Sequence, residues 1–133
     1  MYLRKGFILS LMAILLALPC VAQNKYETRI TSADGEKWWG GMVALGSKMP
    51  FGGNLRLVDL ASENLNNQNV PLFLSSKGRF IWSDKPFSFK TENGQLHIYS
   101  EYEKVTPVQA GKTLKEAYRT ASSKFFPPSG KLP

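Results

Sequence analysis

Short apolar stretches with period-two alternation, separated by turn residues, run through most of this chain, which is the grammar of antiparallel strands. Tyr26 to Thr31 alternates weakly, and Trp38 to Leu45 is an apolar stretch interrupted by Gly40 and Gly41. Met49-Pro50-Phe51-Gly52-Gly53 reads as a turn. In Asn54 to Ala61, period two places Leu55, Leu57 and Asp59 on one face and Arg56 and Val58 on the other. A polar loop, Ser62 to Asn69, holds four Asn and one Gln. Val70 to Ser75 and Arg79 to Trp82 form two strands about the turn Ser76-Lys77-Gly78, and a second turn runs from Ser83 to Pro86. Phe87 and Phe89 then alternate with Ser88 and Lys90. Asn93-Gly94 is a strong hairpin signal, because both central positions of a type I′ turn need positive φ. On the return strand, Gln95 to Ser100, Leu96 and Ile98 share one face and His97 and Tyr99 the other. Roughly seven short strands at this spacing predict a mainly β chain folded as an antiparallel β-sandwich.

The period changes towards the C-terminus. Thr113-Leu114-Lys115-Glu116 has the form of a capping box. Leu114, Ala117, Tyr118, Ala121 and Phe125 fall on one face of an amphipathic helix, which Pro127-Pro128 stops. The expected divisions are a sandwich over 23–110, a linking helix over 111–126 and an extended tail over 127–133.

The first 22 residues fall outside this pattern and read as a secretory signal peptide. Arg4 and Lys5 precede an apolar run from Phe7 to Leu18 that is too short to cross a bilayer comfortably. Pro19 ends the run, and Ala22 is the small residue before a cut, so cleavage is expected there, with export to the periplasm or the outside. The rival reading lipidates Cys20, but that site wants a small residue where Pro19 stands. An uncleaved N-terminal anchor is the remaining possibility. Cleavage leaves 111 residues with no Cys and no stable membrane span, and lowers the net charge from +7 to +5.

Composition narrows the function. Apolar residues make up 43% of the chain and aromatics 12%, which suits a globular fold. A single Cys excludes an internal disulfide framework, and one His without Cys pairs gives no zinc set, so neither a metal nor a cofactor is expected. The basic residues are scattered without a run of three, so nucleic acid is not an expected partner. Asp34, Asp59, Glu63 and Asp84 are the acids considered for glycoside hydrolysis, and no spacing forces two of them together. His97 has no nucleophile-elbow sequence to serve and reads as an exposed or hydrogen-bonded strand residue. Gly111-Lys112-Thr113 resembles the end of a phosphate loop but lacks its upstream Gly. No catalytic residue is expected. The candidate binding residues are Trp38 and Trp39, whose indole faces suit the C–H faces of sugars, with one of the two expected in the core. Asn66, Asn67 and Gln68 join them, because their amides can bond hydroxyls.

Four segments together resemble the N-terminal β-sandwich of glycoside hydrolase family 31. They are Trp38-Trp39-Gly40-Gly41 followed by Met49-Pro50-Phe51-Gly52; Asn66 to Leu72; Ser75 to Ser83; and Thr113 to Tyr118 leading to Phe125-Phe126-Pro127-Pro128-Ser129-Gly130. The resemblance implies a galactose-mutarotase-like sandwich. Family members are retaining α-glycosidases acting on α-glucosides or α-xylosides. Their catalytic aspartates lie on a (β/α)₈ barrel that follows the sandwich, so none can be carried over to this sequence. The resemblance therefore implies an exported accessory domain truncated before its barrel, not catalytic by itself, whose partners are that barrel and, in the intact enzyme, an α-glucoside or α-xyloside. It assigns to the Asn64 to Asn69 loop the shaping of the substrate pocket. Two other readings use the same residues: a stand-alone carbohydrate-binding β-module with Trp38 or Trp39 as platform, and an envelope interaction protein with an exposed apolar surface.

Overall fold

The structure is a computed structural model that describes residues 25–62 and 68–130. The expected leader, the loop residues Asn66 and Asn67, and the last three residues of the expected tail lie outside the described residues.

Among the described residues, eight strands form two four-stranded antiparallel sheets. The first sheet has the order β1 (Tyr26–Thr31), β7 (Gln95–Ser100), β6 (Ser88–Glu92), β3 (Leu55–Asp59). The second has the order β2 (Trp38–Met42), β4 (Asn69–Ser75), β5 (Arg79–Trp82), β8 (Val108–Gln109). The β6–β7 hairpin turns at Asn93 and Gly94, with φ of 51° and 73°, the left-handed pair that a tight hairpin demands. Alternation places Ile30, Phe89, Leu96 and Ile98 of the first sheet against Trp38, Phe73 and Ile81 of the second, in one buried core. Phe73 sits at its centre, with its ring centroid 4.7 Å from Phe89 and 5.9 Å from both Phe51 and Phe87.

A third layer covers the back of the second sheet. Helix α1 (Leu114–Phe125) starts at Thr113, whose side chain accepts from the Glu116 amide while Glu116 accepts from the Thr113 amide. Ala117 and Ala121 are buried against Phe80, with Leu72, Leu74, Trp82 and Phe125 packed around them. Small residues on the helix let it sit close to the sheet, and Phe125 then stacks on Trp82 at 4.6 Å and 21°. Among the described residues, no helix is long and apolar enough to cross a membrane.

Three local expectations are corrected. The strand expected from Trp38 to Leu45 ends at Met42, and Val43–Lys48 is a 3₁₀ helix with Val43 66% exposed. Apolar content alone did not distinguish these two backbones. In β3 the register shifts between Leu55 and Val58, so both of these pack on the core and Leu57 turns outward, 57% exposed. A bulge adds one residue to the strand and inverts the alternation beyond it. On α1, Tyr118 leaves the apolar face and is 59% exposed.

Candidate functional site

Adjacent strand residues point to opposite sides of a sheet, and this separates the two tryptophans. Trp38 lies in the inter-sheet core, 2% exposed. Its Nε1–H donates to Ser32 Oγ at 3.2 Å, the Arg79 guanidinium lies 5.1 Å from its ring centroid, and Phe51 N donates to its carbonyl at 2.8 Å. Trp39 faces the other way, opposite Leu74 of β4, and is half-buried. Of the pair, Trp39 alone has surface to offer a ligand.

The next two residues bend the strand. The register against β4 shifts between Gly40 and Gly41. Gly40 has φ of 137°, and a Cβ there would lie 2.0 Å from the Leu72 carbonyl oxygen. Only glycine fits so close an approach. The bend opens a cleft of about 360 Å³ lined by Gly41, Met42, Val43, Met49, Gln68 and Val70. Gln68 is exposed, and its carbonyl accepts from Val43 N at 3.1 Å. Asn69 Nδ2 donates to the carbonyls of Leu60 and Ser62, both at 3.4 Å, which fastens the foot of the loop. Among the described residues, the lining holds no titratable side chain. These residues can bury the apolar side of a ligand and offer it one amide.

A buried polar cluster beneath Trp38 escaped sequence reasoning. The Glu36 side chain is fully buried. Arg79 donates to it through both Nη2 and Nε, the latter at 2.9 Å, Ser75 donates through its hydroxyl, and Ala33 N donates at 2.8 Å. Arg79 Nη2 also donates to the Thr31 carbonyl at 3.0 Å. Burial pushes the Glu36 carboxyl up, but the hydrogen bonds from Arg79, Ser75 and Ala33 together with the Arg79 charge outweigh it. The group is held below the usual carboxylate range. The cluster ties β1, the β2 lead-in, β4 and β5 together and so fixes the base of Trp38. Its only trace in the sequence is an acid just after the Asp34-Gly35 turn.

The remaining candidates for chemistry are dispersed. Asp59 accepts from Ala61 N at 2.9 Å and from Ser88 Oγ at 3.3 Å, and Asp84 accepts from Trp82 Nε1 at 3.0 Å. Glu63 lies outside the described residues. Thr113, the last residue of the phosphate-loop-like triplet, is the helix cap. His97 is neither exposed nor bonded at Nδ1: it is 7% exposed, and that atom stands 3.8 Å from Glu27 Oε1. Arg29 and Lys90 stand directly opposite it on the neighbouring strands. Among the described residues, no group of three His, Cys, Asp or Glu side chains could hold a metal ion. No protein-family model matches the chain, and no curated protein matches it significantly.

Proposed function

We propose that this chain is the non-catalytic N-terminal β-sandwich of an exported family 31 retaining α-glycosidase, with a galactose-mutarotase-like topology, and that it helps shape the substrate pocket. The observation that carries the reading is the convergence of the four segments of the resemblance. Trp38 to Gly41 pairs with β4, which includes Asn69 to Leu72. Phe51 bridges to Trp38. Arg79, from the Ser75 to Ser83 segment, lies over the same ring. Phe125 stacks on Trp82 of that segment. Residues up to about 90 positions apart in sequence thus form one contiguous body, as expected if they descend together from one domain type.

In this reading the Gly41–Val70 cleft and the loop ending at Gln68 face the sugar, and Gln68 contacts it, while Trp39 is not among the residues that line this cleft. The acid–base chemistry belongs to the barrel. The test is to read the three frames that follow the Pro133 codon. A frame encoding barrel strands with an active-site Asp motif is the expected result; the lack of one in every frame overturns the proposal.

A further inference from the structure

The outer face of the first sheet carries a second cleft, whose lining includes neither Trp39 nor Gln68. Three strands lay one row of residues across it: Asp59 on β3 stands opposite Ser88 on β6, which stands opposite Tyr99 on β7. The row ends in a cleft of about 310 Å³, lined by Leu57, Asp59, Ser88, Tyr99, Glu101 and Tyr102 among others. We infer that this cleft is a saccharide-binding site, separate from the cleft assigned above to the substrate pocket.

Its lining is amphipathic in the way a pyranose is. A pyranose presents C–H groups on its ring faces and hydroxyls around its rim. The Tyr99 and Tyr102 rings and the Leu57 side chain supply flat or apolar contact, and Tyr102 and Leu57 are 56% and 57% exposed. The Asp59 and Glu101 carboxylates and the Ser88 hydroxyl supply acceptors at the rim. The volume sits at the lower end of the range for small-molecule sites, about 300–1,000 Å³, which suits one or two sugar rings.

The walls are held. Asp59 is fixed by the Ala61 amide and the Ser88 hydroxyl. Ser100 Oγ accepts from the amides of Tyr102 and Glu103 at 3.2 and 3.3 Å, which sets the bend that carries Tyr102. Prior ordering of this kind lowers the entropic cost of binding. The bulge in β3 also finds a use here, because it is what turns Leu57 out towards the cleft.

The charges argue against the other small-ligand classes. Two carboxylates repel phosphates and nucleotides. A small organic cation would meet the Lys85 ammonium, already 6.0 Å from the Tyr102 ring centroid. A neutral polyol is the class that remains.

Saturation-transfer NMR of the purified chain with glucose, xylose, maltose and isomaltose tests this, with choline as the cationic control. The expected result is transfer to the ring C–H protons of at least one sugar, with a Kd in the millimolar range or about −4 kcal/mol. Tyr102→Ala and Asp59→Asn should each weaken it about tenfold or more, and Tyr118→Ala, on the exposed side of α1, should leave it unchanged. Tyr102 is exposed and Asp59→Asn preserves shape, so both variants should fold. Absence of transfer to every sugar, insensitivity to both substitutions, loss on Tyr118→Ala, or binding of choline in place of sugar overturns the inference. None of these outcomes bears on the coding sequence after Pro133, so the two proposals fail separately.

Discussion

Taking a carboxylate out of water costs several kcal/mol unless its charge and lone pairs are met by partners. Glu36 meets that condition through Arg79, Ser75 and the Ala33 amide. The two halves of the ion pair are not equivalent, because the Arg79 side chain is 20% exposed and that of Glu36 is fully buried. Arg79→Ala leaves a buried charge unanswered and should cost about 4 kcal/mol, whereas Glu36→Gln strands a partly hydrated guanidinium and should cost about 3 kcal/mol. Urea denaturation of the two variants checks the order. The pH dependence follows from the direction of the shift. The folded carboxyl lies below its ordinary value of 4.5. Its contribution is therefore complete above pH 4.5 and is lost as pH falls through the lower folded value. Glu36→Gln should flatten the acid limb of stability against pH in that range. It should not abolish the limb, because Glu27, Glu92 and Glu116 are also held low, by hydrogen bonds from Arg29, Lys90 and the Lys112 amide respectively.

Individual elements were legible in the sequence where local chemistry decides the backbone. Asn93-Gly94 marks its hairpin because few other pairs tolerate two positive φ values, and Thr113 with Glu116 marks the first turn of α1 because the cap is made by those same side chains. The failures came where the decision is not local. The bulges in β2 and β3 depend on the partner strand, and β8 has two residues held by Arg79 and Phe80. His97 is buried on its strand between Arg29 and Lys90 of the strands on either side, and no alternation pattern records that burial. For the candidate site, the sequence distinguished the tryptophan pair but not which member faces outward, and it gave no sign of the Glu36 cluster. The cap itself is testable. Thr113→Ala removes the acceptor for the Glu116 amide and should cost about 1 kcal/mol in chemical denaturation, with Thr113→Ser close to neutral. Because α1 packs on Leu72, Leu74 and Phe80, the loss should appear in the global transition.

At the scale of the whole molecule, the two sheets are protected at their edges but not over their whole surface. The edge strands are β1, β3, β2 and β8. Two of them carry bulges, β8 is two residues long, and β1 presents the Glu27–Arg29 pair, so strand-to-strand association is blocked along each. The helix side is different. Helix α1 covers β4 and β5, while Val108, Tyr118 and Phe126 around it are 46%, 59% and 47% exposed. Phe126 stands edge-on to Trp82 with its ring centroid 5.0 Å away, which extends the Trp82–Phe125 stack to the surface. A patch of this kind on a small domain favours association, and the modest net charge of the chain, +7, opposes it only weakly at physiological salt. The purified chain should therefore form dimers or larger species by light scattering, through the helix side. Tyr118→Lys together with Phe126→Ser should return it to a monomer, since both side chains are substantially exposed and neither belongs to the buried set of Phe80, Ala117 and Ala121. Leu57→Ser, on the opposite sheet, should leave the association unchanged. Association that survives the double substitution but is lost with Leu57→Ser would place the interface on the first sheet instead, over the cleft assigned to the saccharide.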